Sequence, residues 1–147
     1  MKPYYKSLLL IIFCSLFIPK ESTAQQFASS FKPKNKTEKL MIAKLRVLPE
    51  IKEWFKTAKK SDPDLLIKEP DSTQKYYMIQ VGLSNLDMFR TNYYLYVDPQ
   101  TLQIYFWDEM VDHGHDILTL KQWRYWRTKP GWHEMHYYKN GKLLIVK

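Results

Sequence analysis

From Thr37 onward, apolar residues recur three and four positions apart. Leu40, Met41, Leu45, Leu48, Ile51, Phe55 and Ala58 form the series, with lysines and glutamates between them. This spacing predicts an amphipathic helix laying one stripe on a core, with Asn35 or Thr37 as its N-cap. Pro49 interrupts it, because proline has no N–H for the carbonyl of Leu45 and its ring crowds that turn. The helix therefore kinks or restarts there. A restart is favoured, because Glu50 then lies in a first turn where the helix dipole welcomes negative charge. Trp54 and Phe55 are expected to anchor the second segment to a sheet, and Ser61-Asp62-Pro63-Asp64 to end it.

The period then changes to two. Leu65 to Lys68 is a short candidate strand, and the proline that follows it suits an edge position. Tyr76 to Asp108 (YYMIQVGLSNLDMFRTNYYLYVDPQTLQIYFWD) reads as a three-stranded antiparallel meander, its runs of β-branched and aromatic residues separated by LSNLD and VDPQT. Alternation places Tyr77, Ile79, Val81, Phe89, Thr91, Tyr93, Leu95, Val97, Ile104 and Phe106 on one face. Tyr76, Met78, Gln80, Arg90, Asn92, Tyr94, Tyr96, Gln103, Tyr105 and Trp107 fall on the other. Asp98-Pro99 supplies the residues a type I turn prefers at its first two positions. A short helix opening at Thr119 and stopped by Pro130-Gly131 follows. Asn140-Gly141, between Trp132–Tyr138 and Leu143–Val146, signals a closing hairpin.

The N-terminus changes the setting. A basic Met1–Lys6, an apolar Ser7–Ile18 and small Ser22-Thr23-Ala24 follow the order of a secretory signal peptide cleaved near Ala24. An apolar run of about a dozen residues falls short of the roughly twenty that span a bilayer. Bulky Phe13 before Cys14 argues against lipidation. The chain divides into a signal peptide (1–24), a flexible leader (25–36) and a single α+β domain (37–147), and the destination is periplasmic or secreted. Residues 25–147 contain no cysteine, so one hydrophobic core must stabilise the domain without disulfides. They carry 20 basic and 14 acidic side chains, a net charge of +6. Export makes nucleic acid an improbable partner for that excess. No membrane span is expected in the mature chain.

Four segments carry a resemblance: the helix ending in LPEIKEW, the strand running into VG, the YLYVDPQTLQIYFWD hairpin, and ILTLKQWR. Together, over about Thr37 to Arg127, they resemble PepSY-like, cystatin-type domains of Gram-negative cell envelopes. The resemblance implies an N-terminal helix packed on a curved antiparallel sheet of four to six strands. It also implies a small secreted binding or inhibitory module without catalytic residues, so no site residue is carried over. Leu102 departs from the pattern, since the family turn often has Gly there. The hairpin after Pro130 lies outside it.

Candidate chemistry is sparse. Asp112-His113-Gly114-His115-Asp116 places two imidazoles and two carboxylates on a loop, a donor set that suits a divalent ion. His133 and His136 would complete four ligands, but three residues apart in a strand they point to opposite faces. No G-x-S-x-G elbow, P-loop or G-x-G-x-x-G occurs, and the serines lie in loops or the leader. Neither an enzyme nor a cofactor is expected. The unusual feature is the second sheet face, where Tyr94, Tyr96, Tyr105 and Trp107 with Arg90 form a surface of the composition that anchors interfaces. Either the C-terminal hairpin or the Trp123/Trp126 helix covers it, or it binds a partner. The expected function is non-catalytic binding of a protein, peptide or envelope polymer. The alternative is a metal-binding protein or metal-dependent enzyme centred on the His113/His115 loop.

Overall fold

A computed structural model describes residues 32–85 and 88–147. The expected signal peptide, leader residues 25–31 and Leu86-Asp87 of the LSNLD turn lie outside the described residues. Helix α1 spans Lys36–Val47 and α2 spans Pro49–Thr57. Asn35 caps α1, its side chain accepting from the Glu38 N–H at 2.9 Å. Pro49 restarts the helix as expected. Leu48 before it is extended (ψ 128°), the conformation that the clash with a following proline ring imposes. The core stripe is Met41, Ile42, Leu45, Ile51 and Phe55; Leu40, counted in it from spacing, is 48% exposed, and Ile42 takes the inward position.

A 3₁₀ turn at Lys59–Ser61 leads into β1 (Pro63–Lys68). There follow β2 (Tyr77–Asn85), β3 (Met88–Val97), β4 (Ile104–Asp108) and β5 (Asp116–Thr119). They form one antiparallel sheet in chain order, β1-β2-β3-β4-β5. Strand β5 was not foreseen, because four residues are too few to display a period of two. Helix α3 (Leu120–Trp126) starts directly from it, with Thr119 and Gln122 forming a reciprocal capping box. The chain ends in β6 (His136–Lys139) and β7 (Lys142–Ile145), a separate hairpin turned by Asn140 and Gly141, both at positive φ.

Register defines the two faces of the sheet. Ile67, Ile79, Leu95, Phe106 and Leu118 pair in one unbroken row across all five strands. This row packs with the stripe of α1 and α2 and with Trp123 and Trp132 in the core. The next rows face outward: Leu66, Gln80, Tyr94, Trp107 and Ile117, then Lys68, Met78, Tyr96, Tyr105 and Thr119.

One irregularity alters the expected alternation. Val81 pairs with Tyr93, but Gly82 pairs with Thr91, so Asn92 is an extra residue in β3. This β-bulge reverses the parity of everything before it. Phe89 and Thr91, expected in the helix-facing row, move to the outer parity, where the Thr91 hydroxyl bonds the Gln80 side chain at 3.1 Å. Gly82 permits the bulge: a Cβ there would lie 2.1 Å from the Arg90 carbonyl oxygen.

Candidate functional site

The outer face is tiled by rings. Trp107 stacks on Tyr96 (centroids 5.2 Å apart, 21°) and tilts against Tyr94 at 5.1 Å. Tyr76 touches Tyr96 and Tyr105, each at 6.1 Å, and His115 stands edge-on to Trp107 at 4.8 Å. Neither C-terminal element covers this surface. Trp123 of α3 stacks on Phe106 (4.4 Å, 10°), and Trp132 lies 5.8 Å from the same ring, both in the core with the helix-facing row. The hairpin β6–β7 docks beside them through His136 and Tyr138.

The five residues expected on the outer face are only partly brought together. Tyr94, Tyr105 and Trp107 are half-buried and adjoin one another. Tyr96 belongs to the same surface but is 6% exposed, enclosed by its ring neighbours. Arg90 does not belong to it. The bulge sets Arg90 opposite Leu83, in the helix-facing parity and on the exposed part of the strand.

The histidines disperse. His113 extends into solvent beside Asp112, with 3.0 Å between Nε2 and Oδ2, and His115 packs on Trp107. His133 lies in the turn before β6 rather than in a strand. His136 is fully buried, with Nε2 at 3.0 Å from Asp108 Oδ2. Among the described residues, no three His, Cys, Asp or Glu side chains are arranged to hold a metal ion.

A second surface was not anticipated. On the helix side, α2, the β3 bulge, α3 and the turn before β6 enclose an open cleft of about 580 Å³. Trp54, Tyr93 and Trp132 contribute rings to its wall, and Glu53, Asn92, Arg127 and His133 supply polar groups. Trp54 is fixed by its indole N–H, which donates to the Gly82 carbonyl at 3.1 Å. Glu50, in the first turn of α2, receives two hydrogen bonds from Arg124 of α3, at 2.7 and 3.0 Å. Burial alone would raise the Glu50 carboxyl. The Arg124 hydrogen bonds, its own helix-start backbone and the charges of Arg124 and Arg127 outweigh that and hold it below the ordinary range. Sequence held one signal of this cleft: Gly82 inside a strand pattern marks a bulge or a close backbone approach.

Two buried side-chain polar atoms among the described residues have no hydrogen-bond partner, and they divide between these surfaces. They are Trp107 Nε1, from a ring of the outer face, and Tyr93 Oη, from a residue of the cleft wall, and both atoms are closed off from solvent. Such atoms cost free energy unless something accepts from them. Burial, followed by the Glu50 charge, pushes the Tyr93 hydroxyl well above its ordinary range, so it stays a donor. No protein-family model matches this chain, and no curated protein or solved structure matches it.

Proposed function

We propose that this protein is a non-catalytic binding module of the periplasm or cell exterior, cystatin- or PepSY-like in arrangement. Its partner is a protein, peptide or envelope polymer laid on the outer face of the sheet. The observation that supports this most is the state of that face. Tyr94, Tyr105 and Trp107 keep part of their surface open, while the described helices and the C-terminal hairpin pack with the core on the other side of the sheet. A single antiparallel sheet with helices on one side ordinarily turns polar residues to the other. Five strands at roughly 4.8 Å spacing make this row about 19 Å wide, long enough for an extended chain. Leu66 and Ile117 extend its apolar character to both edge strands, at 46% and 47% exposed.

The test uses Tyr94→Ala and Trp107→Ala. Both should retain the wild-type circular dichroism spectrum and lose a partner that the wild type captures from envelope extracts. Undiminished capture by both folded variants would refute the reading. Unfolding of both would make the face core rather than surface. The export part of the proposal has its own check, because mature protein recovered from a secreting host should begin at Gln25.

A further inference from the structure

We propose that the solvent face of α1 is a docking surface for an anionic lipid membrane. Along this helix, Met41, Ile42 and Leu45 point into the core. Leu40, Ala43 and Val47, spaced three and four apart, share the opposite side. Leu40 is 48% and Val47 64% exposed, and Ala43 is exposed with them. The helix is therefore apolar on two sides, and packing within the chain accounts for one of them only.

Charge names the partner. Lys36 and Lys44 stand one turn to either side of Leu40, and Lys39 and Arg46 flank the stripe. The one acidic residue of α1, Glu38, is 2% exposed on the core side, where it accepts from Asn35 Nδ2 at 2.8 Å. Lys44 donates to the Leu102 carbonyl at 3.2 Å, a neutral partner that leaves its charge uncancelled. Beyond Val47 the apolar surface continues into an open groove of about 370 Å³, walled by Leu48, Leu102 and Leu120. Lys44 and Lys121 border that groove, and among the described residues no carboxylate lines it.

The composition fits lipid better than protein. Protein interfaces are anchored by Trp, Tyr and Arg, with Leu and Val under-represented, and α1 holds no aromatic ring. Short aliphatic side chains between lysines suit the headgroup boundary, because lysine stems lie along apolar surface and carry their ammonium groups out to phosphate. A helix of 12 residues is about 18 Å long, so α1 lies along the surface. Among the described residues, no helix is long and apolar enough to cross a membrane. Because α1 packs on the helix-facing side of the sheet, a molecule docked this way turns its tyrosine face away from the lipid.

The test sediments protein recovered from a secreting host with vesicles of phosphatidylcholine, with or without one-third phosphatidylglycerol. Wild type should bind the anionic vesicles alone and leave them at about 0.5 M salt, where the Debye length falls to about 4 Å. Lys36→Gln with Lys44→Gln should weaken binding about 25-fold, at about fivefold for each cation near the lipid. Lys139→Gln with Lys142→Gln removes equal charge from the C-terminal hairpin and should change binding less than about twofold, since charges beyond a Debye length are screened. Leu40→Gln with Val47→Gln keeps the charge and should weaken binding about tenfold through lost apolar contact. All six positions are exposed, so each variant should keep the wild-type circular dichroism spectrum. Residues 25–147 hold no cysteine, which allows a single environment-sensitive fluorophore on Ala43→Cys or Lys139→Cys. The first should shift to the blue on anionic vesicles and the second should not. Absence of binding to anionic vesicles would overturn the proposal and leave an acidic protein as the partner of this face. Equal losses in the helix and hairpin lysine pairs would overturn it as well, because net charge alone would then carry the binding. A blue shift at position 139 without one at position 43 would do the same.

Discussion

Asp108 and His136 meet at 3.0 Å with neither side chain exposed beyond 1%. Asp108 ends β4 in the helix-facing parity, and His136 opens the C-terminal hairpin. The Glu134 carbonyl, 2.8 Å from His136 Nδ1, can only accept, so Nδ1 carries a hydrogen. Tyr138 Oη donates to the same Asp108 Oδ2 at 2.5 Å. Nε2 lies within hydrogen-bond distance of both Asp108 Oδ2 and Tyr138 Oη. Backbone bonds from His136 N to Met110 O and from Asp112 N to His136 O close the junction.

Because the pair is buried, removing one partner strands the other. His136→Ala should cost about 3–5 kcal/mol of unfolding free energy. Tyr138→Phe should cost about 1–3 kcal/mol, because it deletes one donor and leaves Asp108 under-satisfied. Urea denaturation of the three proteins measures both, and equal stability of wild type and His136→Ala would show that the hairpin is not held here.

Among the described residues four phenols are held above their ordinary range, and of these Tyr93 and Tyr138 resist ionisation most. Tyr93 is raised by burial and then the Glu50 charge; Tyr138 by burial, then its bond to Asp108 and the charges of Asp108 and Asp116. A raised folded-state value means the contribution is whole below the ordinary value of 10 and is lost as pH rises beyond it. Absorbance at the phenolate band should therefore show Tyr93 and Tyr138 titrating only together with alkaline unfolding. Tyr93→Phe should remove one such late group and leave stability unchanged or slightly higher.

Glu50 works in the opposite direction. Its folded-state value is depressed, so the Glu50–Arg124 contribution is complete above the ordinary value of 4.5 and disappears as pH falls through the folded value. Glu50→Gln should lower stability by about 1 kcal/mol at neutral pH, the upper range for a partly exposed pair. Below pH 4 the difference from wild type should shrink, and a difference that grew on acidification would contradict this assignment.

Gly82→Ala tests the bulge. The added Cβ would lie 2.1 Å from the Arg90 carbonyl oxygen and 2.8 Å from the Phe89 ring. The nearest atom is backbone, so the strands must part, at a cost of about 3 kcal/mol. A thermal melt matching wild type would mean that β2 and β3 pair differently at this point. The same change should also disturb the cleft, because Trp54 bonds the Gly82 carbonyl.

Elements were legible where a few neighbouring residues decide them. Pro49 restarted the helix, Asn35 capped it, and Thr119 opened α3. The β3–β4 turn formed on Asp98, whose side chain accepts from Gln100 N and Thr101 N. Leu102 there adopts φ +55°, the left-handed conformation that glycine favours and that Leu must adopt at some strain. Strand parity separated the outer tyrosines from the core on the C-terminal side of the β3 bulge. In the part of β3 before Asn92 it failed, and Arg90 was assigned to a surface it does not share.

By itself, then, the sequence determined the elements other than β5 and the two faces of the sheet outside the bulge, because spacing, proline, caps and turn residues act through backbone sterics over a few positions. Tertiary structure alone decided that β6–β7 docks at Asp108 and not over the tyrosine face. It likewise decided that α2, β3, α3 and the Trp132 turn converge on a cleft around Tyr93. Those outcomes depend on contacts such as Glu50 with Arg124, 74 positions apart. Residues that distant meet only once the core has closed, and no local pattern along the chain encodes their meeting.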